Sequence, residues 1–157
     1  MKQTSESGLD RAMTDVTYRE QGITSLQRDF LSQIAVMLGI SPKDCATLVA
    51  PATFTGRAGL ICRFQLLDNE CAVCPEVLLP LSAGELMGTE VVLLLDMQRA
   101  LLTEFGWYLG TSAEGILQIS PTTWIDDAHA AVLALDLING AGVEALQQLL
   151  RSSASLH

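Results

Sequence analysis

Hydrophobic side chains recur along the chain with two different periods, and the change of period divides it into elements. Leu26, Phe30, Ile34 and Met37 follow one another at spacings of four and three, with Leu31, Ala35 and Leu38 beside them. That spacing predicts a helix with a broad apolar stripe. Thr24 or Ser25 can cap its start, and Gly39 with Pro42 stops it. Three short apolar stretches follow, Thr47–Phe54, Leu60–Leu67 and Cys71–Leu81, punctuated by Gly56, Gly59 and Asp68-Asn69-Glu70. The middle stretch alternates: Leu60, Cys62, Phe64 and Leu66 share one face, and Ile61, Arg63, Gln65 and Leu67 the other. Period two predicts a strand. Pro75 and Pro80 put the third stretch at a sheet edge, because proline cannot donate to a central ladder.

After Thr89, residues 90–102 predict a second helix that Gly106 closes. Its beginning, Val91 to Leu95, is apolar without a break. That implies burial on nearly every side and leaves a strand over 90–95 as the rival. Trp107–Thr111 and Ile116–Ser120 flank Ser112-Ala113-Glu114-Gly115, a hairpin turn with glycine where a positive φ is cheap. Asp126 or Asp127 opens a last helix running to about Leu150, which Gly140 and Gly142 are expected to loosen or kink. The order helix, three strands, helix, two strands, helix predicts an α+β fold, a twisted antiparallel sheet with helices packed on it. The domain is expected over residues 24–151, between a disordered polar arm (1–23) and a frayed tail (152–157).

Composition sharpens this picture. Hydrophobic residues make up 49% of the 157 and charged residues only 17%, so apolar surface must remain outside the core. The net charge of −9 repels phosphate backbones and anionic lipid, which argues against nucleic acid as a partner. The sequence has no uninterrupted run of 18 apolar residues and no apolar core in its first 22, so residence in the cytoplasm and reduced cysteines are expected.

Catalytic constellations are sparse. Of two histidines, His157 is the last residue and His129 follows Asp126 by three, where an ordinary helix-surface role outweighs catalysis. Cys71-Ala72-Val73-Cys74 matches C-x-x-C but lies in a strand-like stretch before Pro75, away from a helix start that would lower a thiol pKa. Cys45 and Cys62 supply no second zinc-binding pair. Two small buried hydrophobes is the expected reading of the motif, with no metal and no cofactor. The remaining apolar surface is better explained by a bound protein.

Several stretches resemble the class I type III secretion chaperones, the Tir-chaperone or SycE-like family. Met37-Leu38-Gly39-Ile40 is similar to the end of that family's first helix. Leu101 to Gly110, LLTEFGWYLG, resembles its passage from second helix to fourth strand. Ala113-Glu114-Gly115-Ile116-Leu117 looks like the hairpin after it, and the helix after Asp126-Asp127 like the closing helix. The resemblance covers roughly residues 24–150, and the polar arm is similar to broad-specificity members. It implies a cytoplasmic bacterial homodimer without enzymatic activity, which binds the secretion region of effector proteins and keeps it non-globular and export-competent. The secretion ATPase is a further partner suggested by the resemblance. Phe30, Ile34, Met37, Leu60, Phe64 and Trp124 are the expected effector-binding residues, and Leu95, Leu102, Trp107 and Leu109 the expected dimer interface. The rivals are a small thiol-dependent or hydrolytic enzyme and an oligomerising adaptor for folded partners.

Because the arm has no apolar periodicity, deleting residues 1–22 is expected to leave the melting temperature nearly unchanged. A drop of more than about 4 °C, corresponding to roughly 1 kcal/mol or more in a domain of this size, would refute it.

Overall fold

The computed structural model describes residues 22–155. All but the last two residues of the expected arm lie outside that range, as do His157 and its neighbour. Helix α1 spans Ser25–Met37. Thr24 caps it in a reciprocal box: its hydroxyl accepts from the Gln27 amide, and Gln27 Oε1 accepts from the Thr24 amide. Gly39 ends the helix at φ +76°. The Gln27 side chain is buried, and its Nε2 donates to the carbonyls of Leu67 and Glu70. One amide thus ties the start of α1 to a turn forty residues away.

Five strands form one antiparallel sheet in the order β1-β2-β3-β5-β4. They are β1 (Phe54–Thr55), β2 (Ile61–Leu66), β3 (Val73–Ser82), β4 (Trp107–Thr111) and β5 (Ile116–Pro121). The stretch expected as the first strand is mostly not one. Pro42–Leu48 coils into 3-10 turns, and only a two-residue strand remains beside β2. The expected alternation of β2 holds, with Cys62 and Phe64 buried.

β3 is the central strand, not an edge, despite its prolines. Phe64 pairs with Pro75, and its carbonyl points away from β3 to accept from Ala50 N–H. The proline nitrogen therefore faces the β5 side, where pairing begins only at Val77. Pro80 falls in the irregular stretch between the Leu78 and Ser82 pairings. Neither missing N–H breaks the ladder.

Helix α2 runs over Gly88–Phe105 and closes at Gly106, φ +71°, so the strand alternative for residues 90–95 does not form. Helix α3 runs unbroken over Ala128–Ser155, further than expected, and Asp127 caps it by accepting from Ala130 N–H at 2.8 Å. By length and mean hydropathy (1.3) most of α3 could cross a membrane. Here it is the core helix: Ala128, Ala131, Val132, Leu135, Ile138, Ala145 and Leu149 are buried. It lies on β3 and β5, between α1 on one side and α2 on the other.

The glycines of α3 act differently from expectation. A Cβ on Gly142 would lie 2.8 Å from Leu60 Cδ1, 3.1 Å from Leu79 Cδ2 and 3.3 Å from Val77 Cγ1. Gly142 is thus a contact point that lets the helix backbone approach β2 and β3, whereas Gly140 faces open space. Gly140→Ala is expected to stabilise by about 0.5–1 kcal/mol, or about 2–4 °C, through helix propensity alone. Gly142→Leu is expected to lower the melting temperature by pushing α3 off the sheet. Thermal denaturation of the two variants checks both signs.

Candidate functional site

Helix α2 is where exposed apolar surface concentrates. Of its eighteen residues only Leu94 is buried. Val91, Val92, Leu95, Leu102 and Phe105 are exposed, Leu95 at 63% and Leu102 at 48%. The all-round burial expected for the start of this helix is therefore absent within one chain. Leu95 and Leu102, seven residues apart, share one face, and Val91 extends it by one turn. Val91 and Leu95 also border the sheet side, where with Leu94, Leu109 and Leu117 they line a cavity of about 240 Å³.

Strand β4 beside it is a sheet edge. Ser112 N–H donates to the Ile116 carbonyl and Gly106 accepts from Thr122 N–H, so even-numbered residues bond to β5 and odd-numbered ones point outward. One outward group is taken: Leu109 N–H donates to Gln98 Oε1 of α2 at 2.6 Å.

The opposite side of α2 faces α3 across a groove of about 400 Å³. The Phe105 and Trp107 rings stack at 4.4 Å and form part of its lining.

The structure separates the expected effector-binding residues. Phe30 (7% exposed), Ile34 and Phe64 are core. The apolar stripe of α1 is centred between the two expected rows, so Phe30 and Ile34 from one and Leu31 and Ala35 from the other are all covered. Leu60 is half-buried against α3. Met37 and Trp124 are exposed, but not side by side. The start of α1 is tied to the β2–β3 turn, whereas the Met37 carbonyl accepts from Arg57 in the β1–β2 turn. Trp124 precedes Ile125, which bridges Val73 just after the β2–β3 turn. About 20 Å of helix separates the two ends.

Of the expected interface residues, Leu95 and Leu102 form one exposed face. Trp107 is half-buried under Phe105, and Leu109 faces inward at 8% exposed. Leu109 is therefore core, because its strand position points beneath α2. Val91, Val92 and Phe105 were missed, although the four- and seven-residue spacing from Val91 through Leu95 to Leu102 was available to find the first of them.

The face of the sheet opposite the helices carries a polar cluster beside the exposed Ile61 and Tyr108. Arg63 Nε donates to Glu76 Oε1 at 2.7 Å, Gln65 and Gln118 donate to the same carboxylate, and Arg63 reaches Glu114 at 3.4 Å. This carboxylate accepts from side chains of β2 and β5 on either side of β3, an arrangement that holds three strands in register.

The cysteines are free thiols. Burial, reinforced by the charge of Glu76, pushes Cys74 up to about 11, against an ordinary 9.0. Burial also pushes Cys62 up to about 11, although Asn139 Nδ2 donates to its sulfur at 2.8 Å. A nucleophilic thiol needs the opposite shift. His129 is exposed at the start of α3. Among the described residues no group of three or more His, Cys, Asp or Glu side chains is placed to hold a metal ion.

Comparison with known proteins returns no match: no family model, no curated protein and no solved structure aligns significantly with the chain.

Two thiols with raised pKa values give a pH signature. Below pH 9 both are neutral in the folded and the unfolded chain. Between about 9 and 11 the unfolded chain ionises them while the folded chain does not, so stability falls as pH rises through that window. Near neutral pH, Cys74 is expected to react with iodoacetamide at least tenfold more slowly than free cysteine, its thiolate being about a hundredfold scarcer. Mass-spectrometric mapping of alkylation over time checks this; a rate above that of free cysteine would restore the thiol-enzyme reading.

Proposed function

We propose that this chain acts as a homodimeric chaperone that binds extended segments of client proteins, in the manner of class I type III secretion chaperones. The observation that carries the reading is the uncovered apolar face of α2: a helix anchored by one buried leucine, presenting Val91, Leu95 and Leu102 to water. A lone domain gains nothing from that arrangement. Two copies related by a two-fold axis cover the same face twice with one set of residues. The exposed side chains elsewhere, Leu26 and Val36 on α1, Leu133 on α3 and Trp124, lie on other parts of the surface and offer an extended client separate apolar footholds. The acidic surface keeps such a protein soluble, and the raised thiols count against the thiol-enzyme alternative.

Replacing Leu95 and Leu102 by Asp leaves the fold of one chain intact, since both side chains already meet water. If each leucine is buried in the dimer, either single change removes about 2 kcal/mol per side chain. Symmetry doubles that to about 4 kcal/mol, roughly a thousandfold in the dimer dissociation constant. Light scattering and sedimentation at micromolar concentration read the outcome. A monomeric parent chain, or variants that still dimerise, would refute the interface. Client binding is read separately, by capture of truncated effector segments on the parent protein, and capture of folded proteins alone would favour the adaptor reading.

A further inference from the structure

The groove between α2 and α3 has a pattern that the dimer face does not use. On α2 its wall is Met97, Leu101 and Glu104, at i, i+4 and i+7. On α3 it is Leu137, Ala141, Glu144 and Gln148, at i, i+4, i+7 and i+11. Two helices that each turn such a row towards a shared cleft leave a seat for a third helix. The small side chains at positions 100, 141 and 145 let another backbone approach closely. The volume, about 400 Å³, accommodates a few leucine-sized side chains. The α2 row lies well round the helix from Leu95 and Leu102, so groove and dimer face can be occupied together.

Charge selects the occupant. The charged residues of the lining are Glu104 and Glu144, one on each wall, and both are exposed. Neither makes an ion pair among the described residues, and no Lys, Arg or His lines the groove. Two unneutralised carboxylates flanking an apolar floor repel an acidic helix and attract one whose apolar row is flanked by Lys or Arg.

We propose that the α2–α3 groove is a docking site for a basic amphipathic helix of a client protein, with its apolar row on Leu101, Leu137 and Ala141 and its cations against Glu104 and Glu144. The assignment rests on the partner-binding reading and narrows it to one class of partner.

The test uses the full chain and two synthetic fourteen-residue helical peptides with the same leucine row, one with Lys at every other position and one with Glu there, each followed by fluorescence anisotropy. The Lys peptide is expected to bind at least tenfold more tightly than the Glu peptide. Ala141→Trp, which fills the groove, and Leu137→Gln, at an already exposed position, should each weaken it several-fold or more with the melting temperature retained. Glu104→Lys with Glu144→Lys should reverse the preference between peptides. Asp68→Lys with Glu70→Lys, in the β2–β3 turn, makes the same change in net charge and should leave the preference standing. If that control pair reverses the preference equally, or if neither Ala141→Trp nor Leu137→Gln weakens binding, the groove is not the site. Peptide binding is measured apart from dimerisation. A monomeric chain that binds the Lys peptide overturns the dimer and keeps the groove; a dimer that ignores the peptide overturns the groove alone.

Discussion

The close approach of α3 to the sheet governs how the rest of the chain is arranged. At Gly142 the helix backbone comes so near β2 and β3 that a single added carbon would press on Leu60, Leu79 and Val77. Near the other side of the same contact, Gly56 has no room for a side chain against Asn139 and Cys62. With α3 held this close, its buried row from Ala128 to Leu149 covers the middle of the sheet, and α1 and α2 can pack only on its flanks. The interior amide of Asn139 is half satisfied: its Nδ2 donates to Cys62 Sγ, while its buried Oδ1 finds no partner among the described residues. Helix α1 buries a broad stripe on its flank. Helix α2 buries only Leu94 and leaves more apolar surface uncovered.

The two flanks differ in how their helices are fixed. α1 carries five inward residues and the Gln27 clamp to the β2–β3 turn. α2 has Leu94, the partly buried Leu93, Met97 and Leu101, and the hydrogen bond from Leu109 to Gln98, with cavities on both sides. Burial stabilises roughly in proportion to apolar area removed from water, so α2 has far less holding it within one chain. In the proposed dimer the second copy would cover its outer face and supply what the sheet does not.

Much of this was legible in the sequence where one local rule acted alone. Thr24, Gly39, Gly106, Gly115 and Asp127 mark element ends where expected, because capping and positive φ depend on near neighbours. The alternation in β2 identified its core face for the same reason. Failures came where a distant contact decided. The position of β3 turned on which side each proline nitrogen faced, which depends on pairing partners and not on composition. Gly142 looked like a weakness in a helix because Leu60, Leu79 and Val77 are far away in sequence. Phe30 and Ile34 were assigned to an open surface because two apolar rows on a helix look alike until their neighbours are known. Of the candidate site, Leu95 and Leu102 were legible as a face from their seven-residue spacing. The groove was not, since it needs the relative placement of two helices.

Gln98 has a meaning beyond the anchoring of α2. Strand β4 is an edge with amides and carbonyls directed outward, the kind of template onto which another chain adds strand by strand. The Gln98 side chain occupies the central amide of that edge, and α2 lies alongside. The stopper is carried by the most weakly seated helix of the fold. Detaching α2 would therefore expose its apolar residues and free an edge amide in one event, so the two liabilities of this fold are held in check by the same helix.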